Sequence, residues 1–578
     1  MEQNRMVRWS NGLMVVSVLS VLSVLSQAAA VAYDQSPFGI NGLNMIHGRE
    51  SPNVFADGER TAKVMKDAGI NWARLELWWG VLEPEKGKFD WTFSDKVAQL
   101  YRDQGMNGMV ILCYSSAWSG KPPADAEERA LYADYVYQMV NRYKDVWHVW
   151  EIWNEPNIPT FWPKPNVEDY TLMLKEAYKA AKKADPNCVV LAASTSGPDL
   201  DFIKGIYQNG GWDSCDGISI HPYSMSGGPI VQRLDKLLRM HQEYIASKGK
   251  PKSLWITEMG WTTRGPQSER DQAIYLTQSY VISLANGVEK LFWFCLNDWG
   301  EKWGIVKGGS PLNPKPSYYA YQRLTKGLGS PGKTASFEGY LRMPLGVACY
   351  VFRKPHERIL ILWSDRLTRT VPIKAGFQAE DILGNKVDIQ DGRLSVGRVP
   401  IILIGPISPI GPICLANNPY LEKKGQNLAI NGSFDILNDR GNADWWNAGR
   451  FEGSAKEGQF ATVKGRRGKA VSISNSGERA AYDEGPIPVD VGRTYRLTGW
   501  IKTENATGKN QIAFYWYSGN MWTYQSEART ENITGTHDWT KVSVTATVPE
   551  GTTFVRPNLI SENNSGVTCF DDISLVEE

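Results

Sequence analysis

From about Ser36 to Lys326 the chain alternates short apolar, strand-like runs with helix-like stretches, and that rhythm restricts the fold more than any other feature. The candidate strands are Phe38–Asn44, Trp72–Trp78, Met109–Tyr114, Val146–Asn154, Cys188–Ser194, Gly217–His221, Ser253–Glu258 and Lys290–Leu296. Eight strands at intervals of roughly 30 to 40 residues fit a (β/α)8 barrel. Helical patterns fall between them at Arg60–Ala68, Ser94–Gln104, Glu127–Tyr143, Val167–Ala184, Ile230–Ser247 and Ser268–Ala285. In the last of these, Ser268 and Asp271 have capping-box spacing and Gly287 stands near the stop. A doubly wound open sheet is the competing α/β topology, but it needs a Gly-rich phosphate turn that the chain lacks.

At 578 residues the chain exceeds what one core can hold. Beyond Lys326, strand-like runs such as Gly346–Arg353, Arg358–Ser364 and Pro400–Ile404 follow one another without long helices. The expected fold class is therefore α/β: a (β/α)8 TIM barrel over 33–327, then a small accessory β domain over 328–405. A Pro/Gly-punctuated linker over 406–426 leads to a C-terminal jelly-roll β-sandwich over 427–578. Along Gln511–Tyr517 the alternation puts Ile512, Phe514 and Trp516 on one face and Ala513, Tyr515 and Tyr517 on the other. One set must face the core, and the pattern leaves open which.

Residues 1–32 read as a signal peptide. Arg5 and Arg8 precede the apolar run Leu13–Leu25, and small residues offer cleavage after Ala30 or Ala32. An uncleaved N-terminal anchor is the alternative, although a run of 13 residues is short for a bilayer span. The expected location is secreted or periplasmic, with no membrane partner after cleavage. A formal net charge of +1, without a long run of either sign, argues against a nucleic-acid partner. The seven cysteines show no CxxC spacing, so no metal or redox motif is indicated. Cys188 and Cys215 start neighbouring strands, but an odd count leaves the pairing open.

Two acidic residues stand where chemistry is expected. Trp150-Glu-Ile-Trp-Asn-Glu-Pro-Asn157 ends the fourth candidate strand, and Trp255-Ile-Thr-Glu-Met-Gly-Trp261 ends the seventh. In such a barrel both strand ends open onto the catalytic face. Carboxyl groups converging there can cleave a glycosidic bond, one as a protonated acid for the leaving oxygen, the other ionised to attack the anomeric carbon.

On these residues the chain resembles the clan A glycoside hydrolases, most closely family 39, with families 5 and 42 near. The segment Val81-Leu-Glu-Pro-Glu-Lys-Gly-Lys-Phe-Asp-Trp91 adds to the likeness, which covers roughly Phe38 to Trp303. The resemblance implies that Glu155 is the acid/base and Glu258 the nucleophile. It implies that Asn154 bonds the sugar 2-hydroxyl, that Arg74 holds the nucleophile ionised, that His221 and Tyr223 support it, and that Trp293 forms a sugar platform. Glu76 and Glu151 read instead as interior charge partners of Arg74. Trp78, Trp79, Trp118 and Trp299 are further cleft candidates.

The C-terminal segment resembles β-sandwich carbohydrate-binding modules through Asn427-Leu-Ala-Ile-Asn-Gly-Ser-Phe-Asp435 and Cys569-Phe-Asp-Asp-Ile-Ser-Leu575. That likeness implies a sugar-binding face, to which Trp522 and Tyr524 are added candidates, and a structural calcium near Asp435 and Asp571 or Asp572. The expected activity is retaining hydrolysis of internal linkages in a polysaccharide, without a cofactor. An exo-acting β-xylosidase-like enzyme is the nearest rival, and a non-catalytic carbohydrate-binding protein the more distant one.

Overall fold

A computed structural model describes residues 34–578 except 224–226, 266, 299, 309–312, 330–333, 345, 366–367, 408–410, 412, 422–424, 439–440 and 449–458. The expected signal peptide and Trp299 lie outside the described residues. Eight parallel strands close into a barrel in sequential order. They are β1 (Phe38–Asn41), β2 (Trp72–Trp78), β3 (Asn107–Cys113), β4 (Val149–Ile152), β5 (Val189–Ser196), β6 (Gly217–His221), β7 (Ser253–Met259) and β8 (Val288–Trp293). Pairing of Phe38 with Leu291 and of Ile40 with Trp293 shuts the ring. A long helix follows each strand: α1 (Val54–Asp67), α2 (Thr92–Gln104), α3 (Ala126–Tyr143), α4 (Val167–Ala184), α5 (Leu200–Gln208), α6 (Leu234–Ala246), α7 (Glu269–Ala285) and α8 (Pro316–Leu328), with an added single turn at Trp79–Leu82 after β2. Among the described residues no helix is long and apolar enough to cross a membrane.

Local chemistry sets these helices. The Asn166 side chain accepts from the N–H groups of Glu168 and Asp169 at the start of α4, whose last turn carries Lys182 and Lys183, so both ends suit the helix dipole. Ser268 and Asp271 cap α7 reciprocally.

Strand alternation sorts side chains between the barrel interior and the helix layer. On β2, Ala73, Leu75 and Leu77 join the apolar layer under the helices. Trp72, Arg74 and Glu76 take the opposite parity, into the barrel. At the closed end the Lys290 ammonium donates to the carbonyls of Asp34 (2.9 Å) and Ser36 (2.7 Å) and lies 4.5 Å from the Trp72 ring centroid. Above this plug the interior turns polar, and the site begins.

The accessory β domain is a six-stranded antiparallel sheet with a two-stranded ribbon. Part of the expected linker belongs to it, because Ile413–Cys414 pairs with Tyr340 and Leu341. The C-terminal domain is a sandwich of two antiparallel sheets. Ile512, Phe514 and Trp516 lie in its core, whereas Ala513, Tyr515 and Tyr517 pack with Leu237 of α6. The second face therefore rests on the barrel. None of the seven cysteines is in a disulfide.

Candidate active site

Arg74 organises the site from inside the barrel. Its side chain is almost fully buried and meets five partners. Nε donates to Glu151 Oε2 at 2.9 Å, with Nη2 2.8 Å from the same oxygen, and Nη2 donates to Asn154 Oδ1 at 2.9 Å. Nη1 donates to Asn41 Oδ1 at 3.2 Å and to Glu258 Oε1, and Nη2 lies 3.4 Å from His221 Nε2. Burial alone would lower the guanidinium pKa, but the charges of Glu151 and Glu258 outweigh it, so Arg74 keeps its proton more firmly than usual.

Glu258 sits at the end of β7 between two donors, Arg74 and the Tyr223 hydroxyl, which donates to Oε2 at 2.9 Å. Burial would raise its carboxyl, but the charge of Arg74, then His221 and the Tyr223 bond, hold it below the ordinary 4.5. Tyr223 itself is pushed well above 10, first by burial and then by the neighbouring carboxylate. Glu258 is thus an ionised group at neutral pH, and Tyr223 a stable proton donor to it.

Glu155 reaches the same space from beyond β4 on an unusual backbone. Trp153 and Glu155 have φ of 67° and 43°, and Ala193 and Ser194 on β5 have 82° and 46°. Left-handed conformations at non-glycine residues are costly and gather at functional sites. The two turns brace each other, since Glu155 N–H donates to the Ser194 carbonyl at 2.9 Å. Glu155 Oε1 lies 3.0 Å from His221 Nδ1, a contact that requires a proton between the two atoms. The other ring nitrogen of His221 meets Thr257 Oγ1 at 3.0 Å and Ser194 Oγ at 3.3 Å.

Ligand-type atoms of Glu155, His221 and Glu258 all lie within 4.8 Å of one another. Three such groups resemble a metal site, but the Arg74 guanidinium already neutralises Glu258, and a cation there would face its charge. The arrangement suits two carboxyl groups acting on one bond. Asn154, oriented through its carbonyl oxygen by Arg74, keeps its N–H donors unbonded among the described residues.

A family model for Cellulase (glycosyl hydrolase family 5) matches residues 31–298. A family 39 glycoside hydrolase from Bacteroides cellulosilyticus WH2 superposes with a TM-score of 0.51 at 23% identity, over 61% of this chain and 78% of that one, and shares the fold. Over residues 31–298 the barrel resembles the glycosyl hydrolase family 5 model. Two curated relatives match shorter stretches. Beta-galactosidase Bga of Halorubrum lacusprofundi is 43% identical over 60 residues, covering 10% of this chain and 8% of that protein. Beta-glucosidase-like SFR2 of rice (Oryza sativa subsp. japonica) is 26% identical over 160 residues, covering 25% of this chain and 23% of that protein. The chain thus spans less than a quarter of the length of these relatives.

Within the barrel Glu155, Glu258, Asn154, Arg74, His221 and Tyr223 come together as one cluster of polar contacts. Trp293 does not join it, and the platform expected of it is corrected here. It is fully buried and packs against Trp261, 5.8 Å between centroids, in the layer under α7. On β8 the inward parity belongs to Lys290 and Phe292, so Trp293 must point outward. The next residue, Phe294, turns inward and stands edge-on to Tyr223 at 6.2 Å, with Trp303 5.6 Å from the same ring.

The other aromatic candidates divide similarly. Trp79 is core, stacked on Tyr135 at 5.4 Å. Trp118 is half-buried and stands edge-on to Trp79. Trp78 is half-buried beside Tyr114, which stacks on Phe161. Glu151 is a buried partner of Arg74. Sequence reasoning missed Asn41, Ser194, Thr257, Phe294 and Trp303. Only Asn41 and Thr257 carried a signal, as polar residues at barrel strand ends.

The aspartates named for a structural calcium in the C-terminal domain meet protein donors. Asp571 Oδ2 accepts from Arg466 N–H at 2.7 Å, Asp435 Oδ1 from Lys469 N–H at 2.9 Å, and Asp572 Oδ2 from the Arg466 guanidinium at 3.0 Å.

Proposed function

We propose that the protein is a secreted or periplasmic retaining glycosidase that cleaves internal β-linkages of an extracellular polysaccharide. Glu155 serves as acid/base and Glu258 as nucleophile. The observation that carries this reading is that a carboxylate oxygen of Glu155 and one of Glu258 lie within 4.8 Å of each other, which favours the close spacing of a retaining pair. Retaining enzymes hold the two groups about 5 Å apart, and inverting ones about 6.5–9.5 Å.

In the first step Glu258 attacks the anomeric carbon while Glu155 gives its proton to the departing oxygen. The C–O bond breaks and a glycosyl ester forms on Glu258. In the second step Glu155 takes a proton from water, the water oxygen attacks the anomeric carbon, and the ester bond breaks. Arg74 and Tyr223 stabilise Glu258 as it leaves, and Asn154 is placed to donate to the sugar. These groups supply acid, nucleophile and base in turn, so the reaction calls for no cofactor.

The signal-like N-terminal sequence and the appended sandwich favour a polymer as substrate over a small glycoside. Screening plant and bacterial polysaccharides, with product lengths recorded, separates internal cleavage from release of single sugars. The direct test is Glu258→Ala. Hydrolysis of every active substrate should disappear, and full retention of activity would overturn the proposal.

A further inference from the structure

The two ring nitrogens of His221, a fully buried residue at the end of β6, face opposite charges. Nδ1 lies 3.0 Å from Glu155 Oε1 and 3.9 Å from Glu258 Oε2, so carboxyl groups from beyond β4 and from β7 flank it. Nε2 lies 3.0 Å from the Thr257 hydroxyl, 3.3 Å from the Ser194 hydroxyl and 3.4 Å from Arg74 Nη2 on β2. A guanidinium has no lone pair with which to accept a ring proton, whereas a hydroxyl can either give or accept one. A proton on Nε2 would point toward the Arg74 charge, and a proton on Nδ1 lies between two acids. Both effects put the proton on Nδ1 and leave the Nε2 lone pair to accept.

Ser194 and Thr257 are built to supply what that lone pair accepts. Both are fully buried, where a hydroxyl is costly unless it bonds, and the partner of each hydroxyl among the described residues is Nε2. Thr257 precedes Glu258 on β7, and its backbone carbonyl accepts from Asn41 Nδ2 at 3.0 Å, which leaves the side chain available. Ser194 stands where β5 shifts register between Ala193 and Thr195, with φ of 46°. Its N–H donates to Ser219 Oγ at 3.1 Å, and its carbonyl accepts from Glu155 N–H at 2.9 Å. Ser194 therefore grips the Glu155 backbone directly and the Glu155 carboxyl through His221. That double grip gives its left-handed backbone a use at the site.

We propose that Thr257 and Ser194 are positioning residues that fix the tautomer of His221, with its proton on Nδ1, and so reserve Glu155 Oε2 for the proton delivered to the substrate. The inference rests on the glycosidase reading above. Oε1 accepts from Nδ1–H at every stage. In the first step the C–O bond breaks, its electron pair stays with the departing oxygen, and that oxygen takes the proton from Oε2. In the second step Oε2 takes a proton from the attacking water, and the Nδ1 proton stays where it is. With the opposite tautomer Nδ1 would be an acceptor. Glu155 would then spend its proton on the ring, and the departing oxygen would leave unassisted.

The first test is long-range proton–nitrogen correlation NMR of the full chain labelled with 15N-histidine, at pH 7. His221→Asn identifies the signal among the six histidines. His221 should show a proton on Nδ1 and a bare Nε2; a proton on Nε2, alone or with one on Nδ1, would overturn the proposal. The second test is kinetic. Thr257→Val should lower kcat/KM about thirtyfold on alkyl glycosides but only about threefold on 2,4-dinitrophenyl glycosides, which need no acid. Thr257→Ser should recover most of the loss. Equal losses on the two substrates, or no loss on either, would overturn the assignment. Ser194→Ala carries the same comparison if Thr257→Val does not fold. Failure of the catalytic reading shows separately, as hydrolysis surviving Glu258→Ala, and leaves the tautomer measurement untouched.

Discussion

Arg74→Met removes the one cation that the barrel interior sets between two carboxylates. Arg74 and Glu151 side chains are 1% and 0% exposed, so neither partner can turn to water when the other is lost. Breaking a buried pair by deleting one member typically costs about 3–5 kcal/mol, because an uncompensated charge stays behind. Glu258, 15% exposed, adds a second stranded carboxylate. Against a total stability of about 5–15 kcal/mol the loss is large. Glu151→Gln alone should cost less, about 1–2 kcal/mol, because Arg74 keeps Glu258 and its hydrogen bonds. Combining the two removes the stranded charge at Glu151, so the double variant should be more stable than the sum of the single losses by about 1–3 kcal/mol. Urea unfolding of the four proteins at pH 7, followed by circular dichroism, measures this cycle. Activity should not recover with stability, since Glu258 still lacks its cation. A loss below about 1 kcal/mol for Arg74→Met, or strict additivity, would refute the charge-balance argument.

Three other outcomes follow from the same geometry. Glu155→Ala should lower kcat/KM about 10²–10⁴-fold on substrates with alkyl leaving groups and far less on 2,4-dinitrophenyl glycosides, which need no acid; equal losses count against the acid role. Because Glu258 is held below 4.5, its ionised form supports folding and catalysis above that pH, and both decline as pH falls through its lowered value. Tyr223→Phe removes one cause of the lowering, so the acid limb of the kcat/KM profile should move to higher pH, and an unmoved limb contradicts the assignment. Gly197→Ala places a side chain at φ +73° against the Asn520 carbonyl, which should cost about 1–3 kcal/mol and lower the melting temperature; an unchanged melting curve would show that the contact is not tight.

How far the sequence reveals this molecule depends on what each residue's position encodes. Strand and helix order were legible because burial on both faces of a parallel strand leaves apolar runs, and Trp72–Trp78, Gly217–His221 and Val167–Ala184 occupy the expected spans. The carboxyl pair was legible because barrel topology sends every strand's carboxyl end to one face. Trp293 was misread because the side to which a tryptophan points depends on strand register, and one residue of slip exchanges it with Phe294. Left-handed backbone at Trp153 and Ser194 was hidden, since neither residue type advertises it. The seating of Tyr515 and Tyr517 on Leu237 was hidden too, because a sheet face covered by another domain has the same alternation as one open to a ligand.

The central claim is that Glu155 and Glu258 act by double displacement. Proton NMR of the first-formed product, recorded before mutarotation on the most rapidly cleaved substrate, tests it most directly. The account predicts a product with the anomeric configuration of the substrate. A product of opposite configuration would contradict it, because inversion needs a water where Glu258 now stands.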